Sequence, residues 1–258
     1  MRKKWLIILV LTIIFLFFWS AYLQAYKFEM EFIKSEFEMA IGIYPLGEDY
    51  LQLIHANMME MIKIAPYSFL SEPQFFVYVD RNPKRQLVML CFYINNGKRV
   101  KIIGADKIST GNPNRKGYFI TPIGFFENTT ENFGYRALGT KNDKGWRGLG
   151  AKGSRIWDFG WQKTLNQKNE ERIIRLLLHA TDPDFGEKRL GQTDSKGCIR
   201  TSARMNKFLD YFGILDKEYE NQNGIKKIAY LLRNDRKPIN FAGKYLVVGD
   251  SINHFVLQ

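Results

Sequence analysis

The spacing of hydrophobic positions changes several times along the chain. Residues 5–19 are apolar apart from Thr12 and stand directly behind Arg2, Lys3 and Lys4, while charge returns at Lys27, Glu29 and Glu31. A basic start, an apolar run and a weakly polar stretch closing at Ala25 predict an export element over residues 1–25, with the rest of the chain carried across the membrane. Cleavage near Ala25 and retention as an anchor are both open; the run to Ala25 is just long enough to span, which favours the anchor. Residues 28–64 carry apolar positions at helical spacing with a break at Pro45 and Gly47, and predict two helices. From Gln74 the pattern becomes short β-rich runs, 75–79, 86–94 and 99–104, separated by Arg81-Asn82-Pro83 and Asn95-Asn96-Gly97. Residues 127–161, rich in Gly and Trp, read as an extended loop. The dense apolar run 172–180 predicts a buried strand whose end delivers His179 to an edge or cleft. A helix with Met205, Phe208, Leu209 and Phe212 on one face, a second near 225–232 and a closing strand at 245–248 complete the pattern.

Composition narrows the classes. The chain has 258 residues, 45% of them hydrophobic, enough for a sizeable core. Two cysteines, Cys91 and Cys198, exclude a disulfide scaffold and a four-cysteine zinc site. Asp182 and Asp184 are too isolated to argue for a metal, and Asp182 suits a turn or cap before Pro183. The formal charge is +12, falling to about +9 without the three basic residues that precede the apolar run. Such a body suits an anionic partner. Nucleic acid is disfavoured, because the export element points away from the cytoplasm and no basic and aromatic strand motif is present.

The sharpest local feature is Asp194-Ser195-Lys196-Gly197-Cys198-Ile199-Arg200. A cysteine beside glycine, with a basic residue on either side, lets backbone N–H groups approach a carbonyl and puts positive potential where a thiolate would form. A nucleophilic thiol needs a base, and His179 ends a strand-like run far enough upstream for a loop to bring the two together. An arbitrary lone cysteine and histidine would instead be packing residues. Cys91, inside an uncharged apolar run, fits that plain role, as does His55 on a helix.

His179, the fifteen residues after it, and then Ser195-Lys196-Gly197-Cys198-Ile199-Arg200 resemble the signature of the L,D-transpeptidase catalytic domain, the YkuD-type peptidoglycan enzymes. The likeness extends upstream to Ser109-Thr110-Gly111 and Thr121-Pro122-Ile123-Gly124-Phe125-Phe126, and covers about residues 74–205. It implies a mostly β, β-sandwich-like catalytic domain over 71–258 with added helices; the helical extension over 26–70 and the membrane segment over 1–25 lie outside it and rest on the hydrophobic pattern alone. It implies a Cys198 nucleophile, His179 taking its proton while oriented by the Ala180 carbonyl, and an oxyanion hole of N–H groups around Lys196, Gly197 and Cys198. Ser195 and Arg200 match positions that support the loop or hold a substrate carboxylate, and an ion pair beneath the loop is an equal reading of Arg200. Trp146 and Arg147 are in the part of the chain that helps line the groove; for Trp146, Trp157 and Trp161, anchoring the loop to the core is the alternative. Three positions depart from the family pattern: Lys196 stands where histidine is frequent, Ala180 where glycine or serine is common, and Thr201 where an apolar residue is common.

The function implied is an exported, membrane-tethered cysteine acyltransferase acting on peptidoglycan stem peptides without a cofactor. Its residence is the periplasmic or extracytoplasmic side, with the inner membrane as a partner through residues 1–25. Hydrolysis of the same acyl-enzyme would make it an L,D-carboxypeptidase or endopeptidase, and loss of turnover a wall-binding pseudoenzyme. The acceptor amine and the oligomeric state are not specified by the sequence.

Overall fold

A computed structural model describes residues 2–222 and 224–252 and, within residues 1–20, the side chains of 5, 8–14 and 17. The chain begins with one continuous helix, α1 (Arg2–Ala40), which passes through Ala25 without a break. Among the described residues no helix is long and apolar enough to cross a membrane. The span expected over 1–25 is therefore unsupported, and much of it falls on side chains outside the described set. The pause at Pro45 and Gly47 is present, followed by α2 (Glu48–Lys63) and a short α3 (Tyr67–Leu70).

The meander follows as β1 (Gln74–Asp80), β2 (Leu87–Ile94) and β3 (Arg99–Ser109). Then come β4 (Gly124–Glu127), β5 (Tyr135–Arg136), β6 (Arg155–Leu165), β7 (Glu171–Ala180) and β8 (Ile199–Thr201). Three helices, α4 (Ala203–Tyr211), α5 (Lys217–Glu220) and α6 (Lys226–Leu231), lead to the last strand, β9 (Tyr245–Gly249). All nine strands join one mixed sheet in the order β4-β9-β1-β2-β3-β8-β7-β6-β5. Only two of the pairs are parallel, β1 with β9 and β7 with β8. The loop expected over 127–161 is shorter than its Gly content suggested. Trp157 and Trp161 belong to β6, and the long connection is 137–154.

Every residue of β1 and of β2 is buried, because the centre of the sheet is covered on both faces. On one face Phe75, Val77, Leu90 and Phe92 share a cluster with Trp157, Leu176, Leu178 and Ile199 from the far strands and with Phe208 and Leu209 of α4. Tyr26, Met30, Ile33 and Phe37 of α1, at helical spacing, close this cluster. On the other face Phe76, Tyr78, Met89, Cys91 and Tyr93 pack against Tyr50, Ile54, Met58 and Met61 of α2 and Phe69 of α3. Residues 26–70, read from sequence as an extension that inherits nothing from the catalytic domain, thus supply one wall of each cluster. The Glu29 carboxylate reinforces this by accepting from Asn240 N (2.9 Å), Asn240 Nδ2 (2.8 Å) and Phe241 N (2.7 Å).

Trp157 is fully buried and donates through Nε1 to Asp216 Oδ1 at 3.1 Å, so it anchors the fold and lines no groove. Asp216, also buried, holds Arg155 Nη2 at 3.1 Å and Arg236 Nη2 at 2.8 Å, fastening the C-terminal helices to β6. Cys91 is buried, with burial raising its thiol pKa well above normal, and His55 lies exposed on α2, both matching the plain roles expected of them.

Candidate active site

The parallel pairing of β7 with β8 sets His179 opposite Arg200 and Leu178 opposite Ile199. Continued back one residue, this register sets Cys198 beside Leu177. Since side chains alternate along a strand, Cys198, Arg200, Leu177 and His179 share one face. The half-buried Cys198 thiol points toward the backbone of β7, with Sγ 3.8 Å from Arg175 O.

His179 is buried, and its Nδ1 lies 2.7 Å from the carbonyl oxygen of Ala180, the partner expected from the motif. An Nδ1–H donor there leaves Nε2 with its lone pair as the proton acceptor. Burial lowers the His179 pKa to about 4; Arg200 pushes in the same direction and the Ala180 bond opposes it. Burial likewise raises the Cys198 pKa, with the Leu177 backbone N–H and Arg200 opposing and Asp158 adding to the rise. The basic neighbours were expected to favour a thiolate; burial outweighs them, and the resting pair is neutral thiol and neutral imidazole.

The turn before Cys198 is held rigidly. Asp194 N and Ser195 N donate to Thr110 O at 3.0 and 2.9 Å, and Asn112 N donates to Ser195 O at 3.0 Å. Thr121, from the Thr-Pro element, accepts from Gly111 N at 2.9 Å and donates through the same hydroxyl to Gly197 O at 2.8 Å. Gly197 has φ of +126°, a left-handed conformation that favours glycine, and a Cβ there would press on the terminal Cδ1 of Ile174 at 2.7 Å. Ser195 is fully buried, accepts from Gly197 N at 3.0 Å and donates to Cys198 O. Its hydroxyl is spent on the loop, the supporting role its motif position offered, which leaves the substrate-contact reading without a free hydroxyl. The same bond engages the Gly197 N–H, so that donor does not stand open toward a substrate as the motif implied.

The other expected residues surround a cleft of about 500 Å³ that has Lys196, Arg200 and Thr181 in its wall. Lys196 is exposed, with Nζ 5.9 Å from the centre of the Tyr118 ring. Arg200 Nη1 pairs with Asp194 Oδ2 at 3.1 Å while a quarter of its side chain, 24%, stays exposed to the cleft, so the ion pair and an open guanidinium edge coexist. Trp146 stacks on Phe185 with ring centres 6.2 Å apart. Arg147 N donates to Asp182 Oδ2 at 2.6 Å and its guanidinium pairs with Asp184 at 2.5 Å, clasping the 137–154 loop to the chain just after β7. Asp182 Oδ1 also accepts from Asp184 N and Phe185 N, the turn role expected of it. Among the described residues no group of three or more His, Cys, Asp or Glu is arranged to hold a metal.

Sequence reasoning overlooked several neighbours. Asp158 is buried and pairs with Arg175 Nε at 2.6 Å, and both Asp158 and Cys198 act electrostatically on Tyr135. Arg115 reaches Asp194 from a distant segment, and Arg189 from five residues upstream. Asp158, Arg175, Arg115 and Arg189 belong to no contiguous motif, and no local signal in the sequence marks them.

Residues 74–227, more than half of the chain, match the family model described as the L,D-transpeptidase catalytic domain, YkuD. The chain belongs to that family, as the spacing of His179 and Cys198 suggested. Among curated proteins none matches it.

Proposed function

We propose that the protein is a peptidoglycan L,D-transpeptidase working through an acyl-enzyme on Cys198. The observation that carries the reading is the register of β7 with β8, which sets His179, its Nδ1 committed to Ala180 O at 2.7 Å, and the Cys198 thiol on one face of neighbouring segments. The thiol proton passes to His179 Nε2 as sulfur attacks the amide carbonyl of the diamino acid at position three of a stem peptide. Charge collects on the former carbonyl oxygen, to be met by backbone N–H groups of the turn, those of Lys196 and Cys198 in particular. Collapse breaks the C–N bond, His179 returns the proton to the departing D-alanine amine, and a thioester remains. An amine of a second stem then attacks the thioester, gives its surplus proton to His179, and releases a thiolate that recovers the proton. Because neither partner is charged at rest, proton transfer and attack are coupled, and the reaction depends on how well the stem is oriented.

Export fits this reading. Arg2, Lys3 and Lys4 precede an apolar stretch in which Trp5, Leu11 and Phe17 are exposed, and such a helix would tether the enzyme to the cytoplasmic membrane with its site on the far side.

The test is mass spectrometry of disaccharide-tetrapeptide muropeptides incubated with the full chain and with its Cys198→Ala variant. Cross-linked dimers or exchanged terminal D-amino acids, formed only by the unmutated protein, are expected. Tripeptide alone would make the enzyme a hydrolase of the same acyl-enzyme. No product from folded protein would overturn the catalytic reading in favour of a wall-binding protein.

A further inference from the structure

The 500 Å³ cleft, whose wall includes Lys196 and Arg200 from either side of Cys198 in the chain, is strongly cationic. Its lining includes Arg115, Lys144, Arg147, Arg189, Lys196 and Arg200, against two acids, Asp182 and Asp194. Arg147 is satisfied by Asp182 and Asp184. The remaining arginines converge on a single carboxylate: Arg115 Nη1 at 3.2 Å and Arg189 meet Asp194 Oδ1, and Arg200 Nη1 meets Oδ2 at 3.1 Å. Three guanidinium groups about one carboxylate leave two positive charges uncompensated within the cluster. Asp194 itself is only 10% exposed in its side chain, whereas Arg115 is 51% and Arg189 36% exposed. The acid is the buried anchor and the guanidinium edges face outward.

Two aromatic faces hold these edges in place. Arg115 lies over the Tyr118 ring at 5.0 Å, and Arg189 over the Trp146 ring at 4.9 Å, with Trp146 in turn stacked on Phe185. A guanidinium that is backed by a ring and pinned at one edge by a carboxylate has lost most of its rotational freedom before a ligand arrives. Its free N–H pairs form a fork suited to a planar anion.

We infer that Arg115 and Arg189, preorganised by Asp194, Tyr118 and Trp146, form a carboxylate-recognition site that makes this enzyme select stem peptides with free side carboxylates over amidated ones. The inference rests on the stem-peptide reading above and names the chemical form of stem that is taken. An amide in place of the carboxylate removes the negative charge and puts N–H donors against the N–H donors of arginine, leaving donors on both sides unpaired. The role of Trp146 is then to hold Arg189, and its contact with substrate is secondary.

The experiment is calorimetric binding to the full-length Cys198→Ala chain, which cannot turn over. The two probes are a tetrapeptide with free side carboxylates and the same peptide amidated there, both with a free C-terminal D-alanine. The free-acid peptide is expected to bind on the order of tenfold more tightly, about 1.4 kcal/mol, with the preference shrinking as salt is raised. Arg115→Gln/Arg189→Gln, two substitutions at exposed side chains, is expected to bring the two affinities together. Arg115→Lys/Arg189→Lys should keep part of the preference, since charge is retained and the fork is lost. Equal affinity of the unsubstituted pocket for the two peptides overturns the carboxylate site and leaves the acyl-transfer reading standing. Failure to bind either peptide, together with no turnover by the unmutated chain, overturns both.

Discussion

Nδ1 of His179 lies 2.7 Å from the carbonyl oxygen of Ala180, its own neighbour in the chain, so the orientation of the base is set by the last residue of the strand that carries it. With Nδ1 committed and the ring buried, His179 stays neutral down to about pH 4. The acid limb of kcat/KM should therefore fall near pH 4 to 5, below the ordinary histidine range of about 6.5. An acid limb at the ordinary histidine value would mean that the ring is solvated during turnover.

The same shift predicts a stability trend. The unfolded chain binds a proton on His179 below about pH 6.5, and the folded chain only near pH 4, so between these values the unfolded state holds more protons. The contribution of His179 is complete above about pH 6.5 and is lost as pH falls toward 4, at up to roughly 1.4 kcal/mol per pH unit. Urea unfolding of the wild type and of His179→Gln across pH 4 to 7 isolates it: the difference between the two curves should flatten above pH 6.5.

Cys198 and Cys91 should differ sharply toward an alkylating reagent. Cys198 is half-buried with a raised pKa, and Cys91 is buried within the sheet with its pKa pushed further up. Mass spectrometry should find Cys198 labelled in the folded protein at a rate that climbs through pH 9, with Cys91 labelled only on unfolding. A plateau already reached near neutral pH would show that a stable thiolate exists at rest.

Thr121 joins two segments through one hydroxyl, accepting from Gly111 N and donating to Gly197 O. Thr121→Val keeps the shape and strands both buried partners, at a cost of about 1 to 3 kcal/mol. Thr121→Ser should retain most of the stability and the turnover, and a loss as large as that of Thr121→Val would show that the methyl group matters as much as the hydroxyl.

Removing Asp216 leaves Arg155 and Arg236 facing each other without their shared anion. Asp216→Ala should lower stability by about 3 to 5 kcal/mol, read as a drop in thermal midpoint. A change under about 1 kcal/mol would mean that Asp210 and Glu220 already neutralise the pair.

Much of this arrangement is legible in the sequence, for identifiable reasons. The spacing of Phe75, Val77 and Val79, the Asn95-Asn96-Gly97 turn and the apolar run ending in His179 are local signals, and each produced the element it implied. Cys198 and His179 are legible as candidates because they carry the spacing that resembles the family signature, which the match over residues 74–227 supports. For Ser195 the motif position shows that a hydroxyl is needed and leaves loop and substrate as alternatives; only the fold shows that the hydroxyl points inward to Gly197 and Cys198. Trp157 was placed on a loop because Gly148, Gly150 and Gly153 upstream disguised where β6 begins.

Residue order alone carries the helix and strand periods, the glycine that lets the turn before Cys198 form, and the candidate pair His179 and Cys198. Tertiary structure decided their charge state, because desolvation depends on what covers a group, and the covering strands are distant in sequence. It also decided which arginines act together. Arg189 and Arg200 lie five and six residues from Asp194, but Arg115, 79 residues away, joins them only when the chain folds, and Coulomb energy depends on separation in space, which residue order does not encode.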